Sequence, residues 1–71
     1  MTLETLKTVL TERQQEVLYW VMKGLTTKEI AALLVIAEHT VEKHLDNIFK
    51  RLDVNGRVQA AVLAARAGLE I

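Results

Sequence analysis

An all-α domain of four short helices is what the sequence predicts, and three observations carry that prediction. The 71 residues include no proline and three glycines, Gly24, Gly56 and Gly68, while alanine, leucine and valine dominate the apolar half. Such a mixture favours helices joined by short turns over sheet. Two Thr-x-x-(Gln/Glu) boxes, Thr11 to Gln14 and Thr26 to Glu29, each mark the start of a helix. Finally, Val41, Leu45, Ile48, Phe49 and Leu52 recur at i, i+4, i+7, i+8 and i+11, the apolar stripe of an amphipathic helix.

Taken in order, residues 1–9 are weakly patterned and read as a linker stub or frayed lead-in to a domain spanning residues 10–71. The first predicted helix covers about 12–23. Thr11 caps it, Gln14 reaches back, Val17, Leu18, Val21 and Met22 form its buried stripe, and Gly24 stops it. Tyr19 and Trp20 belong to its core or rim. A second helix, about 27–34, follows the Thr26 box, with Leu25 and Ile30 as a hydrophobic staple and Ile30, Ala31, Leu33 and Leu34 on its inner face. Val35, Ile36 and Ala37 make a compact apolar turn. The third helix, about 38–52, starts at Ala37, where a serine or threonine cap would add about 1 kcal/mol. Asp53, Val54, Asn55 and Gly56 end it as a turn.

A fourth helix, about 57–67, ends at Gly68 and carries two apolar stripes. Ala60, Leu63, Ala64 and Ala67 form one; Val58, Val62, Ala65 and the trailing Leu69 form the other. A helix with two such stripes can meet its own core and a second molecule at once, so Val58, Val62, Ala65 and Leu69 are the predicted dimer contacts.

Composition excludes several classes of function. No cysteine is present for a disulfide or a thiolate metal site, and His39 and His44 alone make no metal centre, so no cofactor is expected. No nucleophile with a partnered base and no phosphate-cradling glycine loop occurs, which argues against an enzyme. Glu12 and Glu29 sit in first helical turns, where the helix dipole accounts for them. No apolar window has the length of a signal or a membrane span, so a cytoplasmic protein is expected. Nine basic residues balance nine acidic ones, four against four up to Ile36 and five against five beyond it. That balance counts against a non-specific electrostatic nucleic-acid binder.

A short helix, a three-residue turn and a longer helix make a helix-turn-helix, which in DNA-binding versions sends its second helix into the major groove. Opposite the core stripe of the third helix lie His39, Glu42, Lys43, Asp46, Asn47 and Lys50. Such a face suits a reading surface and equally suits plain solvent exposure. Glu42 and Asp46, one turn apart, would repel phosphates but can accept from cytosine N4. Lys43 and Lys50 are the expected sources of affinity.

At this point the chain resembles the LuxR-type, or GerE-like, helix-turn-helix family over about Leu10 to Leu69. Leu10-Thr11, Arg13 and Glu16-Val17-Leu18 are similar to the family's opening motif, and Gly24-Leu25-Thr26-Thr27-Lys28-Glu29-Ile30-Ala31 to the start of its second helix. Thr40-Val41-Glu42-Lys43-His44-Leu45 resembles the start of its recognition helix, Lys50-Arg51-Leu52-Asp53-Val54 the end, and Arg57 and Ala60 the start of its fourth helix. The chain departs from the family pattern at Gln14, where an acidic residue is common, at Ala37 and Gly56, where serine is frequent, and at Glu42 and Asp46, where several relatives carry basic residues. The resemblance implies a four-helix DNA-binding domain of bacterial transcription regulators, found alone or as the C-terminal half of response regulators and ligand-sensing activators. It places base contacts on Glu42, Lys43 and Asp46 and phosphate contacts on Thr27, Lys28, Thr40 and Lys50. Double-stranded DNA, a second copy of the chain as a homodimer, and RNA polymerase are the implied partners. A protein-interaction module on the same fold, binding through the fourth helix with little or no DNA affinity, is the alternative that the zero net charge keeps open. A promoter-binding domain of the sigma-factor kind is a weaker third reading, since it would normally be more basic.

Overall fold

Apolar residues from every helix converge on one core in the computed structural model, which describes all 71 residues. Five helices follow one another with no strand between them: α1 (Leu3–Val9), α2 (Glu12–Met22), α3 (Thr27–Leu34), α4 (Glu38–Leu52) and α5 (Arg57–Ala67). The four expected helices are therefore α2 to α5, and their bounds match the sequence reading to within one residue at the end of α2.

The fifth is a correction. Residues 1–9 are not a frayed lead-in but carry a helix, capped by Thr2, whose hydroxyl accepts from the Thr5 N–H at 3.1 Å. Seven residues are too few to hold a helix on propensity alone. Here Leu6 and Leu10 supply the stability by entering the core, Leu6 with no exposed surface, as α1 packs on α4 and α5. Two long side chains tie its C-terminal end: Arg51 Nη1 donates to the Val9 carbonyl at 3.3 Å and Gln15 Nε2 to the Leu10 carbonyl at 3.1 Å.

The two threonine boxes form as expected. Thr11 Oγ1 accepts from Gln14 N–H while the Gln14 side-chain Oε1 accepts from Thr11 N–H at 3.0 Å, which explains why Gln14 is the one buried polar residue. Thr26 and Glu29 repeat the arrangement at the start of α3, at 3.1 and 2.8 Å.

Helices α2 to α5 all end the same way. A residue in the left-handed region, Gly24, Val35, Asp53 or Gly68, reverses the chain, and the next N–H bonds the carbonyl five residues back at 3.0 Å. This is the Schellman closure, which places an apolar residue just beyond the turn against the last turn of helix. Those residues are Leu25, Ile36, Val54 and Leu69, each packed in or against the core. Leu69 is 1% exposed, so it leaves the predicted dimer stripe. Continuing the helical period past Gly68 puts it outside, whereas the reversal at Gly68 folds it back inside.

Packing follows the stripes. α2 lies against α5 and α4, α3 against α4, and Val17, Leu18, Ile30, Val41, Ile48, Ala60 and Ala64 are fully enclosed. Tyr19 and Trp20 sit at the rim, edge to face at 4.9 Å. Leu33 differs from expectation: it is 49% exposed, because α3 rests on α4 through Ile30 and Ala31 while Leu33 turns outward. No buried side-chain nitrogen or oxygen lacks a hydrogen-bond partner.

Candidate nucleic-acid interface

Helix α4 has the sharpest division of faces in the molecule. Val41, Leu45, Ile48 and Leu52 are buried, and Glu42, Lys43, Asp46, Asn47 and Lys50 are all exposed on the other side. His39 is exposed beside them, while Thr40 and His44 are half-buried at the margins. A helix of 15 residues held by four core side chains on one face presents the opposite face as a rigid ridge. His44, next to the buried Leu45, is half-buried at the edge of the core stripe.

The charges on this ridge are uncommitted. The one ion pair in the chain is Arg13–Glu16 on α2, at 3.4 Å. Glu42, Lys43, Asp46 and Lys50 therefore bond to no oppositely charged side chain. Lys43 and Lys50 can be given to phosphate or guanine without first breaking an internal pair. The two carboxylates, at i and i+4, repel each other mildly in the free helix.

The α3 side of the motif is built differently. Thr27 and Lys28 open that helix, Thr27 half-buried and Lys28 exposed. Arg57, the first residue of α5, reaches across to them: Nη1 donates to the Leu25 carbonyl at 3.0 Å and Nη2 to Thr27 Oγ1 at 2.8 Å. Sequence reading placed Arg57 at a helix start and missed this reach. A contact spanning some thirty residues leaves no local pattern to find.

Ala37, the N-cap of α4, makes no side-chain cap bond, so the first N–H groups of that helix have no side-chain acceptor. Before it stands Val35, 88% exposed, over a shallow groove lined by Lys28, Ala32, Ile36 and Glu38.

On α5 the outward stripe survives in part. Val58 is 71% exposed and Val62 42%, Ala65 is exposed beside them, and a shallow apolar depression joins the two valines to Leu52, Val54 and Leu63. None of the α4 ridge residues lines this depression. No cluster of His, Cys, Asp or Glu able to hold a metal occurs, and no helix is long and apolar enough to cross a membrane.

Comparison with known proteins decides what this architecture is. A family model described as "Bacterial regulatory proteins, luxR family" matches residues 8–64. The chain belongs to that family. Among its relatives, the spore germination protein GerE of Bacillus subtilis is 45% identical over 62 residues, which cover 87% of this chain and 84% of that one. The nitrate/nitrite response regulator protein NarP of Escherichia coli is 46% identical over 55 residues, covering 78% of this chain and 26% of NarP. The transcriptional activator protein AnoR of Acinetobacter nosocomialis is 42% identical over 60 residues, 84% of this chain and 25% of that protein. The chain thus spans about a quarter of the length of several relatives and most of GerE. A solved structure of the transcription factor GerE superimposes with a TM-score of 0.76 at 37% identity, covering 84% of this chain and 90% of that one. This luxR-family chain is a DNA-binding transcription-regulator domain.

Proposed function

We propose that α4 lies in the major groove of double-stranded DNA, presenting Glu42, Lys43, Asp46 and Asn47 to base edges. Thr27, Lys28, Thr40 and Lys50 meet backbone phosphates on either side. Two copies pair through Val58, Val62 and Ala65 of α5 and read an inverted or direct repeat. The observation that carries this reading is the α4 ridge, a rigid polar face whose charges are free of internal partners.

The residue types assign roles. A lysine ammonium donates to guanine O6 or N7, or to phosphate, and supplies affinity that falls with salt as counterions are released. A carboxylate is acceptor-only and repels phosphate, so Glu42 and Asp46 favour bases with an exocyclic amino group in the groove, cytosine above all. Affinity then comes from few cations, and discrimination from the acids. Bound at its operator in the bacterial cytoplasm, such a domain alters transcription by meeting RNA polymerase or standing in its way.

Selection from a random duplex library, followed by fluorescence anisotropy at low and moderate salt, tests the reading. A recovered motif with steeply salt-dependent affinity is expected. Lys43→Ala weakens binding, by roughly tenfold if it contributes one charge-assisted bond. Asp46→Ala relaxes the motif at one position and leaves affinity equal or higher. A folded protein that binds no duplex even at low salt would overturn the proposal and leave an interaction module. Sedimentation showing only monomer, free and on DNA, would remove the α5 pairing.

A further inference from the structure

Arg57 is the half-buried cation beside the helix-turn-helix, and its guanidinium bonds across the fold to groups some thirty residues away without a carboxylate partner. Its two recorded acceptors are neutral, the Leu25 carbonyl and the Thr27 hydroxyl oxygen, and the one ion pair lies elsewhere, on α2. Glu29, the acid of the same first turn of α3, is bonded instead to the Thr26 N–H at 2.8 Å. Burying a cation among neutral acceptors costs free energy that a carboxylate or an incoming anion would offset.

Thr27 is the partner on the α3 side. Its Oγ1 accepts from Arg57 Nη2 at 2.8 Å and takes part in no other side-chain hydrogen bond. A threonine hydroxyl has one proton and two lone pairs. With a lone pair held by Arg57, the oxygen is fixed and its proton remains available to donate, at the start of a helix whose first turn favours negative charge.

We infer that Arg57 is a positioning residue for DNA binding: it locks the α2–α3 turn against α5 and orients the Thr27 hydroxyl to donate to a backbone phosphate. This rests on the proposed phosphate contact at Thr27. Arg57 directly precedes Val58, so the same side chain ties the helix proposed to pair two copies to the helix proposed to hold the backbone.

A double-mutant cycle tests it, using Arg57→Met, which keeps the reach but has no donor, Thr27→Val, which keeps the shape but has no hydroxyl, and the pair together. Binding to a duplex carrying the selected motif is measured by anisotropy across a salt series, well below each variant's melting temperature. Each single variant is expected to lose about tenfold in affinity, the worth of one hydrogen bond to a charged group, and the double variant no more than about twofold beyond that. The salt slope should not change, because the contacting group is a neutral hydroxyl.

Additive losses would overturn the inference, since Arg57 would then act by another route. A salt slope lowered by about one in Arg57→Met would make Arg57 itself the phosphate contact and overturn the positioning role. Lower melting with unchanged affinity would leave it a structural brace only. Full affinity in Thr27→Val would remove the phosphate contact, and the inference with it, while wild-type binding would show that DNA reading still stands. Should Arg57→Met fail to fold, Arg57→Lys serves in the same cycle, because it keeps the charge but cannot span both acceptors.

Discussion

Gly24-Leu25-Thr26 and Val35-Ile36-Ala37 lead the chain into the two helices of the helix-turn-helix by nearly the same backbone path. The first residue of each is left-handed, with φ of 91° and 56°. The second is apolar and turns inward. The third is an extended N-cap, at φ −75° and ψ 164° for Thr26 and φ −70° and ψ 149° for Ala37. The side chains on that path differ at both ends. Glycine takes the left-handed position without steric cost, whereas a β-branched valine there costs about 1–2 kcal/mol. Thr26 caps its helix and Ala37 cannot, a further loss of about 1 kcal/mol. The turn into α4 thus gives up roughly 2–3 kcal/mol, no small part of a domain stability of about 5–15 kcal/mol. It also exposes Val35 just before the proposed reading helix. Stability is conceded at the turn before the proposed reading helix and kept at the turn before α3, as expected where a surface has a use other than stability.

The largest effect should come from making the first turn resemble the second. A Cβ at Gly24 would meet nothing within 4 Å, so Gly24→Val tests chiefly backbone strain. At φ 91° a valine is farther from the left-handed minimum than at Val35, and a loss of about 2 kcal/mol is expected, read as a fall of the urea midpoint at unchanged slope. A loss below about 0.5 kcal/mol would mean that valine is equally tolerated in both turns.

The reverse change comes next. Val35→Gly removes the strain but adds flexibility to the unfolded chain, so a net gain of about 1 kcal/mol is expected, or roughly 4–8 °C in Tm. DNA affinity for the selected motif should fall by more than about twofold at the same time, because a turn residue kept for its surface shows its use there and not in the melt.

Legibility in the sequence divides along the same line. Capping boxes, glycine stops and the α4 stripe are local patterns, and they gave the bounds of α2 to α5. The polar ridge was equally readable, being whatever the core stripe leaves over. What escaped depends on contacts distant in sequence or on a reversal of direction. Helix α1 has only Leu3, Leu6 and Val9 to offer as a pattern, and Leu6 is stabilised by α4 and α5 rather than by its neighbours. Leu69 follows a helical period up to Gly68 and obeys the turn after it. Leu33 keeps the period of α3 yet faces solvent, because a short helix touches its partner through only part of an apolar arc. Arg57 shows no sign of its two acceptors until α5 is laid against the turn before α3.

Smaller effects separate the two caps. Thr26→Ala removes the acceptor for the Glu29 N–H, which is bonded at 3.1 Å, and should cost about 1 kcal/mol in the urea midpoint. Glu29 would still bond the N-cap N–H from its own side, so the helix start loses one of two reciprocal bonds.

Ala37→Ser is the mirror experiment and should give the smallest change of the four. A serine oxygen at that N-cap can accept from the N–H of Thr40, which now bonds the Ala37 carbonyl at 3.0 Å. The residue three positions on is threonine, too short to reach back to the N-cap N–H as Glu29 does. Nothing would hold the new cap from the other side, and the serine must give up rotamer freedom to make its bond. The gain should therefore be about 0.5 kcal/mol, less than the loss in Thr26→Ala. Equal magnitudes in the two experiments would mean that the Glu29 bond adds nothing to the Thr26 cap. The contrast between the turns would then rest on Gly24 and Val35 alone.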